Sequence, residues 1–206
     1  MKIAAIEELT MSKLASTQSP SQTVGPFFHD GLVFGGENVL LSEGMRGERI
    51  LLTGRVLDGD GVVVPDALIE IWQADAAGVY AHPGDPQHAK ADPNFRHYGR
   101  SDTRHAENCY RFETIKPGRV AAPDGGLQAP HVNVHIFSRG LLTHLFTRIY
   151  FADEISANAA DPTLSRIDAE RRKTLLAVRQ PEMEKTVVYR QDFVLQGPGE
   201  TVFFEP

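Results

Sequence analysis

At 206 residues, with 41% hydrophobic and 23% charged positions, the chain fits one globular domain and excludes a disordered tail, a collagen and a membrane bundle. Lys and Arg number 21 against 27 Asp and Glu, a formal charge of −6 with no basic block, so nucleic acid is not an expected partner. The single cysteine, Cys109, can close no internal disulfide and supplies no Cys-based zinc site.

Residues 1–16 carry Glu7 and Glu8 where a secretory leader would be apolar, and no run approaches ~18 apolar residues, so the expected location is cytoplasmic. Residues 17–48 are irregular, with Pro20, Gly25, Pro26, Gly31, Gly35 and Gly36. Period-two alternation then begins. Ile50–Leu57 runs into Asp58-Gly59-Asp60-Gly61, a turn cluster, and Val62–Val64 with Ala67–Gln73 is expected to fold back as a hairpin. A second irregular stretch, 74–108, holds Pro83, Pro86 and Pro93 with His82, His88, His97 and His105. Long ordered loops of this kind often carry binding.

Tyr110–Ile115 alternates and stops at Lys116-Pro117-Gly118. His131–Phe137 alternates cleanly, with His131, Asn133 and His135 on one face and Val132, Val134 and Ile136 on the other. Leu145–Phe151, Val187–Leu195 and Thr201–Phe204 complete seven or eight strands. Helix is a minority: short turns after Asp153 and Asp161, and one surface helix through residues 165–178. No strand-then-helix repetition appears, so the expected fold is all-β, an antiparallel β-sandwich with one or two short surface helices. Residues 1–48 read as an N-terminal arm and pocket wall, and 49–206 as the sandwich, the arm integral to a single domain.

On chemistry, the residues alone leave alternatives open. His131 and His135 stand four residues apart, ~13 Å along a strand, too far to share one ion without leaning sharply inward. Tyr80, at the mouth of the long loop, can be an iron-ligating phenolate or a packing aromatic. Gly25-Pro26, flanked by Thr23 and Phe27, makes a rigid bend suited to a flat ligand. Arg139 ends a strand at a turn, where its planar fork can meet a carboxylate or simply solvent. No Ser-His-Asp order, phosphate loop or zinc motif is present.

Taken in order, Ser21-Gln22-Thr23-Val24-Gly25-Pro26-Phe27-Phe28, Leu68-Ile69-Glu70-Ile71-Trp72-Gln73-Ala74-Asp75, Gly78-Val79-Tyr80, Asp92-Pro93-Asn94-Phe95, Thr114-Ile115-Lys116-Pro117-Gly118 and Thr147-Arg148-Ile149-Tyr150-Phe151 resemble the intradiol ring-cleaving dioxygenases. The resemblance covers nearly the whole chain. It implies a β-sandwich, a non-haem Fe(3+) held by two tyrosines and two histidines, and cleavage of a catechol by O2. Tyr80 matches the first tyrosine. The second falls on Val120, and with Pro130 and Gly140 in register the two histidines fall on Val132 and Val134.

Three of four ligands are then replaced, so the resemblance implies no metal on this chain. It is similar to the two-chain members, where an iron-bearing beta chain is paired with an alpha chain whose own site is defunct. What carries over is substrate binding: Thr23, Gly25, Pro26 and Phe27 as pocket wall, and Arg139 near the carboxylate of protocatechuate, a flat catechol acid. Two other readings stand beside it, a self-contained dioxygenase with ligands Tyr80, His131 and His135, and a non-catalytic structural or carrier sandwich.

Overall fold

The computed structural model describes residues 24–25, 28–104, 106–122, 125–181 and 186–205. Of the expected pocket-wall residues, Thr23, Pro26 and Phe27 therefore lie outside the described part.

Eight strands hydrogen-bond in one continuous order: β4 (Tyr98–Asp102), β3 (Leu68–Gln73), β8 (His131–Phe137), β9 (Leu145–Phe151), β10 (Leu176–Arg179), β11 (Val187–Arg190), β1 (Arg49–Gly54) and β5 (Tyr110–Ile115). The sheet folds over on itself. β10 joins β4, β3, β8 and β9 on one side to β11, β1 and β5 on the other, and the edges return together, where the Arg111 amide donates to Ser101 Oγ at 3.0 Å. Two short pairs lie beside it: β2 (Val56–Leu57) with β12 (Phe193–Val194), and β6 (Val120–Ala121) with β7 (Leu127–Gln128).

The alternation seen in sequence sets what faces inward. In β8, Val132, Val134 and Ile136 have no exposure, and they meet Ile69 and Ile71 of β3, Ile149 and Phe151 of β9, and Phe112 of β5 in one core. Burying each such side chain is worth about 1.5–3 kcal/mol, so a one-residue slip of β8 is not tolerated. β5, β8 and β9 coincide with the strands read from the sequence.

Four expectations are corrected. The sandwich is mixed, since β9–β10, β1–β11 and β2–β12 run parallel. A parallel neighbour needs a crossover, and residues 152–175 supply it for β10. That crossover holds α2 (Ile155–Ala159) and α3 (Ala169–Arg172), not one long helix to 178. Asp168 caps α3 by accepting from the Glu170 and Arg171 amides, but Leu176 and Ala177 pair with Tyr150 and Phe151, and sheet pairing overrides the helical stripe. Finally, only residues 56–58 and 62–64 fold back as a hairpin; β3 pairs with β4 and β8 instead. From Thr201 to Phe204 a single bridge, Phe146 to Phe204, remains of the expected strand.

Candidate functional site

The outward face of β8 carries two unlike regions, one at each end of the strand. At its start lies a cleft of about 720 Å³. Register lines up its floor across three strands: Trp72 of β3 opposes Asn133 of β8, which opposes Arg148 of β9. Tyr80, Val120, His131 and the loop around His82 and Asp85 close the sides.

One buried carboxylate builds the loop that delivers Tyr80. Asp75 accepts the Ala77, Val79 and Asp92 amides, and its carbonyl accepts the Gly118 amide. Gly78 sits at φ +79°, and a Cβ there would fall 1.9 Å from the Arg119 carbonyl oxygen. Only glycine lets the two loops touch, and their contact sets Tyr80 and Val120 in one cleft.

Within the cleft, Asn133 Nδ2 donates to the Tyr80 hydroxyl at 3.0 Å and to the Trp72 carbonyl at 3.2 Å. Burial raises the Tyr80 hydroxyl above the ordinary tyrosine range, against the Asn133 bond and the Arg148 charge. His131 is buried, and its Nδ1 lies 2.8 Å from the Ala129 carbonyl oxygen, so Nδ1 carries the proton. Burial, reinforced by Arg148, pushes this imidazole down to about 4. Arg148 donates to Gln128 Oε1 at 2.7 Å and more weakly to the Tyr150 and Thr163 hydroxyls at 3.4 and 3.5 Å.

The expected register of replaced ligands is corrected here. Val132 and Val134 point into the core, away from Tyr80. The positions on the cleft side are His131 and Asn133, while Val120 does line the cleft. His135 is not among them. It stacks on His144 with ring centroids 4.9 Å apart and meets Phe146 at 5.1 Å, on the far part of the face.

A ferric ion calls for several anionic or strongly basic donors, and the cleft does not fit one. Its lining offers one phenol already bonded to an amide, a guanidinium, the buried imidazole of His131, the exposed imidazole of His82, whose Nδ1 accepts the Gly84 amide, and the Asp85 carboxylate, which accepts the Tyr80 and Gln87 amides. Among the described residues no three His, Cys, Asp or Glu side chains converge as metal ligands.

At the other end of β8, about 20 Å along the strand, the chain before β1 docks. The helix α1 (Phe28–Leu32) starts from a Phe28 amide bonded to the Gly25 carbonyl at 3.2 Å. Phe28 packs on Phe137 with centroids 5.5 Å apart, and His29 Nε2 donates to the Asp66 carbonyl at 2.6 Å. The Asp66 carboxylate in turn pairs with Arg139, whose side chain is 65% exposed. Gly25 and Arg139 thus belong to one corner, and Asp66 links them. Sequence reading missed Asp66, Asp75, Trp72 and Arg148. The only signal available for the last two was their place in the alternation of β3 and β9.

A mixed β-sandwich with a tyrosine-bearing cleft on its outer face defines the class. A family model described as a dioxygenase matches residues 24–197, and the chain belongs to that family, the intradiol ring-cleaving dioxygenases, which generally work with non-haem iron. Within it, the chain is similar to the protocatechuate 3,4-dioxygenase alpha chain of Burkholderia cepacia, 45% identical over 91% of this chain and 97% of that one. The alpha chain of Pseudomonas putida is 39% identical over 91% and 96%. The beta chain from Burkholderia cepacia is 36% identical over 88% and 77%. Among solved structures, an intradiol dioxygenase from Tetranychus urticae has the same fold, with TM-score 0.58 at 19% identity over 86% of this chain and 94% of that one. No helix among the described residues is long and apolar enough to cross a membrane.

Proposed function

We propose that this chain is the alpha-type subunit of a protocatechuate 3,4-dioxygenase, paired with a beta chain that holds the Fe(3+). The pair would cleave protocatechuate with O2 between its two hydroxyl-bearing carbons, each of which gains one oxygen atom, to give 3-carboxy-cis,cis-muconate. The observation that carries the reading is a mismatch. Identity to alpha chains is near full length, yet beside Tyr80 and His131 stand Asn133 and Val120, which offer a ferric ion neither a phenolate nor an imidazole.

This chain's part is binding and assembly. Residues 1–48 act as an arm, with Thr23, Gly25, Pro26 and Phe27 as a wall against the flat ring of substrate in the partner's site. Arg139 offers its guanidinium fork to the substrate carboxylate. Asp66 supports that role, since it holds the guanidinium in place while the side chain stays largely exposed. A cytoplasmic location belongs to the same proposal and rests on the lone cysteine.

Co-expression with a beta chain tests the reading. The purified pair should carry iron and turn over protocatechuate, and the beta chain without this one should lose most activity. Full activity of the beta chain by itself would overturn the proposal.

A further inference from the structure

We infer that the cleft around Tyr80, His131 and Arg148 is a metal-free binding site for hydroxylated aromatic carboxylates. The inference rests on the cleft's own residues and not on the subunit reading. Its volume of about 720 Å³ lies within the range of small-molecule sites and exceeds the size of a one-ring acid.

The polar groups are arranged for such a ligand. Arg148 is the cation of the floor, it donates to the neutral oxygens of Gln128, Tyr150 and Thr163, and among the described residues it enters no ion pair. A carboxylate arriving there meets an unneutralised guanidinium in a partly desolvated setting, where a charge-assisted bond is strongest. Because the His131 Nδ1 proton is committed to the Ala129 carbonyl, Nε2 is an acceptor, suited to a phenolic hydroxyl. The Tyr80 oxygen already accepts from Asn133, so its own proton remains to donate. Trp72, 41% exposed, and Val120 supply the apolar surface for a ring. The acidic group of the rim, Asp85, is occupied by the Tyr80 and Gln87 amides at 2.8 and 2.7 Å.

One acid, one hydroxyl and one ring are therefore matched by separate groups. An aliphatic diacid lacks the ring, and a simple phenol lacks the charge.

The probe is 4-hydroxybenzoate, whose single hydroxyl leaves no vicinal pair to cleave. Trp72 is the chain's sole tryptophan, so its fluorescence reports on the cleft. Titrating the full chain should give saturable quenching with one site per chain. Arg148→Gln should weaken binding about tenfold or more, and the uncharged 4-hydroxybenzamide should bind weaker by a similar factor. Val120→Phe, which fills the cleft and leaves Arg148 in place, should abolish it. In an assembled pair, equilibrium dialysis should count two sites, falling to one in Val120→Phe. Absence of saturable binding in both preparations, or equal affinity of parent, Arg148→Gln and Val120→Phe, overturns the inference. Loss of the chain's own site with normal turnover of the pair would leave the subunit reading intact.

Discussion

The two ends of β8 share one strand and one alternation, yet they are built for different tasks. At the start, His131 and Asn133 are tied to partners inside the chain: a carbonyl, a phenol and a neighbouring strand. At the finish, His135 and Phe137 form an aromatic surface with His144 and Phe146, Phe28 packs on Phe137, and Arg139 pairs with Asp66. The first end is a cleft whose polar groups are mostly tied to partners within the chain. The second is an open face on which Arg139 stays largely exposed. A strand set by its core face leaves the outer face free to change while the fold is kept.

The comparison breaks most visibly at the cleft's scaffold. Gly78→Val forces a side chain onto the Arg119 carbonyl at a positive φ, and should cost about 3–5 kcal/mol in urea unfolding. Arg139→Ala at the exposed end should stay within about 0.5 kcal/mol. Equal losses at both ends would sink the contrast.

Acid comes next. His131 titrates at about 4 in the folded chain against an ordinary 6.5 when unfolded. Between those values the unfolded state binds the extra proton, so stability is full at neutral pH and falls as pH drops from 6.5 toward 4. The difference amounts to about 3 kcal/mol. His131→Gln should flatten that slope. His135 is also lowered, by burial and then by His144, but it is half-exposed and should contribute a far shallower slope.

Smaller effects sharpen the picture. In the assembled pair, Arg139→Ala should raise KM for protocatechuate about tenfold, roughly 1.4 kcal/mol, with little change for uncharged catechols. An equal change for both substrates would remove the carboxylate role. Asn133→Ala leaves the part-buried Tyr80 hydroxyl without its amide and should cost about 1 kcal/mol in thermal or urea unfolding. No measurable loss would mean that the bond is incidental to the cleft.

Strands announced themselves in sequence wherever alternation met a clear stop. β5 ends at Lys116-Pro117-Gly118, and β8 shows three aliphatics against polar neighbours, so both were legible. Residues 165–178 misled because the helical stripe Leu164, Ile167, Leu175 and Val178 says nothing about a strand 25 residues earlier that recruits Leu176 and Ala177. At the site, Tyr80 stood out at the mouth of the long loop with two readings open, and Val120 was reached only through the family resemblance. The pair on β8 was assigned one residue off, to Val132 and Val134, because a proline and a glycine fixed the register while the alternation itself pointed to His131 and Asn133. Arg148 and Asp66 act through register and long-range pairing, which a single strand's pattern does not contain.

The most direct test of the central claim is the iron content and visible absorbance of this chain purified without a partner. Tyrosinate on ferric iron gives a strong charge-transfer band. A folded, colourless chain that retains no stoichiometric iron after exposure to it is the predicted result. One iron per chain with that band, abolished by Tyr80→Phe, would place the metal in the cleft and contradict the account.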